Sequence, residues 1–328
     1  GLPTTGNPKA FALLISFNDY PDTISHDTID AMLWGDGDTP YTPLESLTNY
    51  YQRSSYGLLN LSGTTLGWYR TPYDRSEVLA GYAEDKRMLA RQALIEEAID
   101  HFEGQGHDFS QYDNDGDGVI DYFIVYWTGP DSGWGSFWWA YKTTFFSSYK
   151  VDGKLLGAYS WQWASSRPTV VIHETGHALG LPDYYDYDGN VGPDGGVGGF
   201  DMMHGNKGDH NCFSKWILGW LEPTAVSDGS QVVTLGDTTT QDCVLVWPGI
   251  TVDDMFSEFF MVQNRQDTGN DQSFYFSPDG LAIWHVDATL TLDGSYFAYN
   301  NSYTDHKLLR LMEADGLEDI ENIGGSEQ

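Results

Sequence analysis

The chain has 328 residues, 40% hydrophobic and 15% aromatic, which is enough apolar side chain for a buried core and excludes an intrinsically disordered chain. Forty-eight acidic residues stand against 16 basic ones, a net charge of -32 that argues against nucleic acid or anionic lipid as a partner. No run reaches the roughly 18 apolar residues of a membrane span, and no fixed-period repeat is present.

In chain order, Ala10 to Phe17 reads as a buried strand and Glu45 to Ser54 as a short helix. Leu58 to Trp68 reads as strand or hairpin. Ser76 to Phe102 carries Leu79, Tyr82, Leu89, Leu94, Ile95 and Ile99 in a helical rhythm, which predicts one long amphipathic region. Tyr122 to Trp127 is β-rich, and the aromatic stretch Trp134 to Trp163 is mostly strand, its tryptophans serving core packing or a cleft rim. Thr169 to Leu179 is a helix, 182–208 a loop dense in Gly and Asp, and Phe213 to Leu221 a last short helix. After Glu222-Pro223 short apolar runs alternate with turns, at Val232–Leu235, Val244–Val246, Phe259–Val262 and Leu281–Val286. The expected organisation is therefore an α/β (α+β) domain over 1–222 followed by a β-rich, β-sandwich-like module over 223–328.

The acid is mostly aspartate, 35 Asp to 13 Glu, and Asp favours turns and caps. Two cysteines, Cys212 and Cys243, make no disulfide framework, and their pairing stays open. The start without Met and the loop-like end at Gly324 to Gln328 are expected of a chain whose leader has been removed. Gly195 to Gly199 is glycine-rich but lacks the Lys-Ser/Thr of a phosphate-binding loop.

The most informative segment is His173-Glu174-Thr175-Gly176-His177 through Asp183. Histidines four apart on a helix leave the same face one turn apart, which suits one tetrahedral Zn²⁺. Glu174 is placed to act on a metal-bound water as general base and acid. Gly180 can take the left-handed conformation that turns the chain, so that Asp183 returns as third ligand. Three protein ligands leave a fourth position for water, the pattern of a catalytic zinc.

Upstream, Asp113-Asn114-Asp115-Gly116-Asp117-Gly118-Val119-Ile120-Asp121 puts acids at alternate positions. The expected structural Ca²⁺ site uses Asp113, Asp115, Asp117, Asp121 and the Val119 carbonyl. It begins like an EF-hand but leads into a strand. No Lys or Arg lies between Arg91 and Lys142, so the clustered carboxylates need a cation. Asp183, Asp186, Asp188, Asp194 and Asp201 suggest a second calcium site.

These motifs resemble the immune inhibitor A-like secreted bacterial zinc metalloproteases, whose pattern is HExxHxxGxxD. The likeness extends to Leu13 to Asp19, Tyr50 to Gly57, Gly198 to Met203, Leu218 to Leu221, Gln263 to Gln266 and Gly280 to Asp287. It implies a metzincin-like fold with a Met turn at Met203, Met202 being the neighbouring alternative. It also implies a secreted zymogen that binds calcium and hydrolyses protein or peptide substrates. Tyr184, Tyr185, His204 and His210 are neighbouring candidates for steadying an oxyanion. The family commonly has an acid where this chain has Gln263. A monomeric zinc endopeptidase is the expectation; a non-catalytic metal-stabilised binding protein or adhesin is its rival.

Overall fold

Seven of the eight residues of β1 (Lys9–Ser16) are buried. A strand with no exposed alternate positions needs cover on both faces, as in a largely parallel sheet. In this computed structural model, which describes residues 1–272 and 279–322, β1 lies inside a six-stranded sheet with β2 (Ser62–Arg70), β3 (Val119–Trp127), β4 (Tyr141–Thr144), β5 (Lys150–Val151) and β6 (Lys154–Trp163). The order is β2-β1-β3-β6-β4, with β5 also on β6. The β2, β1, β3 and β6 pairings are parallel, whereas β4 and β5 pair antiparallel with β6. The chain end expected at 324–328 lies outside the described residues.

Helices α1 (His26–Trp34), α2 (Leu47–Ser54), α3 (Arg87–Glu103) and α4 (Pro168–Ala178) come in the same stretch. α3 buries Ala90, Leu94, Ile95, Ala98, Ile99 and Phe102, and these pack with Phe11, Leu13, Phe123 and Val125. Tyr122 leaves β3 in the opposite direction, and its hydroxyl meets Thr175 of α4 at 3.1 Å. α3 and α4 therefore cover opposite faces of the sheet.

The long helical region expected from Ser76 to Phe102 is helical only in its second half. Gly81, at φ 83°, turns the chain between short 3₁₀ turns at Arg75–Glu77 and Glu84–Lys86. α1 was not read from the sequence, since only Ile29 and Leu33 are buried on it. Its signal is Ser25, whose side chain accepts from the Thr28 amide. Of the tryptophans in the aromatic stretch, Trp138 and Trp161 are core and pack with Trp127 at ring-centroid distances of 4.9–6.0 Å, whereas Trp139 and Trp163 are half-buried and Trp134 is exposed.

By backbone contacts the chain forms two compact units, 1–51 with 59–180 and 52–58 with 181–328. The second holds α5 (Met202–Gly205), α6 (Cys212–Ile217), β7 (Thr224–Val226), β8 (Val244–Val246), β9 (Glu258–Arg265), β10 (Gly280–Asp287), β11 (Leu309–Leu311) and α7 (Asp319–Asn322). Its five-stranded sheet runs β11-β10-β9-β8-β7 and begins just after the boundary expected at 222/223, although the unit itself begins at Leu181. β9 alternates buried and half-buried residues, and its Phe259 meets Phe213 and Trp216 of α6. A sandwich needs a second sheet; among the described residues after 223 there is one sheet, with α6 against β9. Val232–Leu235 is not a strand but irregular chain, with Val232 fully exposed. Cys212 and Cys243 are free buried thiols, and their hydrogen bond to each other pushes the Cys243 thiol up.

Phe11 stacks on Phe123 at 5.0 Å and meets Phe109 and Tyr112 at 5.1 and 4.9 Å, just before the acidic loop. Phe11→Ala is expected to cost about 3–5 kcal/mol of unfolding free energy by denaturant titration. A cost below about 1 kcal/mol would mean that the ring cluster is not part of the cooperative core.

Candidate metal centre

α4 starts with Pro168 at its first turn, where the missing N–H is no loss, and buries Val171 and Ile172. The Tyr51 hydroxyl donates to the Ile172 carbonyl at 2.7 Å. The Tyr122 hydroxyl donates to Ser160 Oγ at 2.9 Å and meets Thr175 Oγ1. The residues on either side of His173-Glu174 are thus tied to α2 and to β3. The His173 and His177 rings lie 4.8 Å apart at 84°. Helix α4 ends where Gly180 takes φ 107°, its amide donating to the His177 carbonyl at 3.1 Å. This is the turn read from the sequence. One donor atom each from His173, His177 and Asp183 lies within 4.8 Å of the others.

His173 and Glu174 are buried, while His177 and Asp183 are half-buried. Burial foremost, with a smaller push from the Glu174 carboxylate, raises the Tyr122 and Tyr141 hydroxyls above their ordinary range.

The segment after Asp183 is held at Met203, where a Met turn is expected. The amide of Tyr184 donates to the Met203 carbonyl at 3.0 Å, and Met202 and Met203 are both buried. Asp201 caps α5, accepting from the Met203 amide at 2.7 Å and from the Asn211 amide and side chain at 2.6 and 2.7 Å. Asp201 and Asp186 are therefore committed elsewhere than to a second calcium site: Asp186 pairs with Lys307 at 2.8 Å. Two of the oxyanion candidates are spent as well. The Tyr184 hydroxyl is buried against Ser214 at 2.7 Å, and His210 is buried 3.8 Å from Asp201. Tyr185 and His204 stay half-exposed.

Beneath this turn lies a set of residues to which the sequence reading assigned no role. Arg265 donates to both oxygens of Asp271, to the Phe200 carbonyl at 3.0 Å and to the Asp209 carbonyl at 3.3 Å. Lys215 donates to Asp209 at 2.6 Å and to the Tyr56 hydroxyl at 3.2 Å. Ser54 donates to Asp209 at 2.6 Å. Gln263 accepts from the Cys212 amide and Trp284 indole at 2.8 and 2.9 Å. The amide serves here as a neutral acceptor.

In the acidic loop Asp113, Asp115 and Asp117 bring one oxygen each within 4.8 Å of the others. Asp113 Oδ1 is buried and accepts no hydrogen bond, which fits a cation ligand. Asp121 is not in that group; its Oδ2 accepts from the Asn114 amide and side chain at 2.8 and 3.0 Å. The Val119 amide donates to Asp117 at 2.8 Å. Part of the missing positive charge comes from farther along the chain: Lys154 pairs with Asp113 at 2.7 Å, and that hydrogen bond holds the Asp113 carboxyl low.

Burial alone would raise the Asp209 carboxyl, but the Lys215 ammonium, with help from Ser54 and Arg265, holds it at about 2. Its stabilising contribution is thus complete above about pH 4, the unfolded value, and is lost as pH falls toward 2. Lys215→Met leaves Asp209 buried without its cation. It is expected to cost about 3–5 kcal/mol at pH 7 and to remove part of the acid limb of the stability curve. Superimposable pH profiles for variant and wild type, measured by denaturant unfolding, would overturn this.

The profile of the immune inhibitor A peptidase M6 catalytic domain matches residues 4–211. Immune inhibitor A of Bacillus thuringiensis subsp. alesti is 25% identical over 208 residues, which is 52% of this chain and 30% of that protein. The pre-pro-metalloprotease PrtV of Vibrio cholerae serotype O1 (strain M66-2) is 25% identical over 228 residues, 54% of this chain and 25% of that protein. This chain accordingly spans well under half the length of these curated relatives. The matched region takes in the acidic loop, α4, Asp183 and the Met turn, and with well over half of its residues inside that match the chain belongs to the immune inhibitor A peptidase M6 family of metallopeptidases.

Proposed function

We propose that this chain is a zinc-dependent endopeptidase in which His173, His177 and Asp183 hold the ion and Glu174 is the general base and acid. The observation that carries it is the convergence of three donor atoms within 4.8 Å, with Glu174 next to the first of them on the same helix. Two imidazoles and one carboxylate are a donor set that zinc takes in catalytic sites. A bound zinc ion supplies Lewis acidity and makes water available as a nucleophile near neutral pH. Glu174 accepts a proton at its carboxylate as the water adds to a peptide carbonyl, and returns it to the departing amine. The turn at Gly180 and the hydrogen bond from Tyr184 to Met203 orient Asp183 before any ion arrives, so little ordering is left for binding.

The wider reading is a secreted bacterial enzyme, made as a zymogen and acting as a monomer on protein or peptide substrates. Its catalytic domain is metzincin-like and covers 1–222, with a β-rich module over 223–328. Among the described residues no helix is long and apolar enough to cross a membrane. A relative named as a pre-pro-metalloprotease supports the precursor form. Calcium held by Asp113, Asp115 and Asp117, with the Val119 carbonyl and Asp121 at its margin, secures the entry to β3.

Cleavage of casein by wild type and Glu174→Gln, both shown to carry zinc, tests the assignment. The variant is expected to lose on the order of 10²-fold or more in rate. Equal rates would reject Glu174 as the base; no cleavage by either folded, zinc-loaded protein would favour the binding-protein reading.

Dialysis into calcium-free buffer, with zinc content held constant, should lower the melting temperature by several degrees. An unchanged melting temperature would make the acidic loop a solvated turn.

A further inference from the structure

The second unit carries another group of ligand-type side chains. Glu258 opens β9 and Asp287 closes β10, and the register sets them directly opposite each other. Opposed residues of an antiparallel pair share a face, and like charges there repel. His285, two residues before Asp287, leaves the same face, and its Nε2 is 3.0 Å from Glu258 Oε1. His306, in the chain leading to β11, brings Nε2 to 2.8 Å from Asp287 Oδ2. The Tyr299 ring lies against His306 at 4.4 Å. Asp287 is buried, and its other oxygen accepts from the Thr289 amide at 3.1 Å, which fixes the carboxylate. One donor atom each from Glu258, Asp287 and His306 lies within 4.8 Å of the others. Arg310, opposite His285 on β11, is directed to Glu318 at 3.0 Å.

We infer that Glu258, Asp287 and His306 form a binding site for a divalent transition ion of the zinc type, with His285 orienting Glu258 through its contact with Oε1. Calcium and magnesium take oxygen ligands, whereas imidazole beside carboxylate selects zinc and its neighbours. Three ligands leave room for one water. An ion here neutralises the opposed carboxylates and joins the start of β9, the end of β10 and the 300–308 loop.

That loop gives the site its consequence. Asn301 donates to the Tyr184 carbonyl at 3.1 Å, Ser302 to the Tyr185 carbonyl at 3.2 Å, and Lys307 to Asp186 at 2.8 Å. The ion at Glu258, Asp287 and His306 therefore steadies the three residues that directly follow Asp183.

The test uses the full chain carrying His177→Ala, so that its outcome does not depend on the peptidase reading. After equilibrium dialysis against zinc with calcium saturating, this protein is expected to retain one equivalent of zinc by elemental analysis, and zinc is expected to raise its melting temperature. Adding His306→Ala should remove both effects. Adding His285→Ala should weaken zinc affinity roughly 10- to 100-fold, as loss of an orienting partner does. If His306→Ala impairs folding, the near-isosteric Glu258→Gln replaces it, checked by circular dichroism. No zinc retained by His177→Ala, or equal zinc retained with His306 or Glu258 replaced, overturns the inference.

Discussion

Two cations buried in a strongly acidic protein set the terms for the second unit. Lys215 and Arg265 are each about 1% exposed. An isolated charge in that position costs several kcal/mol, so each must meet a carboxylate with its remaining donors satisfied. Asp209 and Asp271 do this and also bond each other's surroundings: the Asp209 amide donates to Asp271 at 2.8 Å. Arg53 and Asn270, joined at 2.8 Å, and Thr238, bonded to Asp271, extend the set. In a low-dielectric interior such a network stands or falls together, because each lost partner leaves an unpaired charge. What it fixes is functional: Phe200 at the entry to the Met turn, the cap of α5, and through Met203 the position of Tyr184.

The aspartate excess has a second explanation besides charge. Among the described residues Asp108, Asp115, Asp117, Asp131, Asp186, Asp188, Asp237, Asp287 and Asp293 each accept the amide two residues on. These local turns satisfy backbone donors that loops leave unpaired. At Asp293 hydrogen bonds from Ser295 and Thr291 hold the carboxyl at about 2. A chain with long loops and few basic residues thus uses its own acids as turn formers.

The metal-binding segment was legible because all of its information is local. Histidine spacing, Gly180 and Asp183 lie within eleven residues, and helix geometry converts spacing into direction. β1, β3 and α4 were legible because continuous apolar runs need burial. The role of Arg265 was not legible, since its partner Phe200 lies 65 residues away and no periodicity encodes such a pairing. The same holds for Lys154 and Asp113, 41 residues apart. His306 and Asp287, 19 residues apart, meet in the same way without any local signal. Of the three-residue strands, β8 was legible because Val244-Leu245-Val246 is wholly apolar, whereas β7 (Thr224–Val226) and β11 (Leu309–Leu311) carry Thr224 and Arg310 and give no such run; Val232–Leu235 has the composition of a strand without a partner to pair with.

The hydrogen bonds from Asn301, Ser302 and Lys307 back to residues 184–186 span more than a hundred positions. The family match stops at residue 211, short of all three and of Lys215, Arg265 and Asp271. Sequence kinship and mechanical self-sufficiency therefore have different borders in this protein. A fragment cut to the matched region would keep His173, His177 and Asp183 yet lose the braces on the segment that follows them. Change in the later part of the chain is in this sense tethered to the segment after Asp183: drift at positions 265, 271, 301 or 307 is felt there, far from where it occurs in the chain.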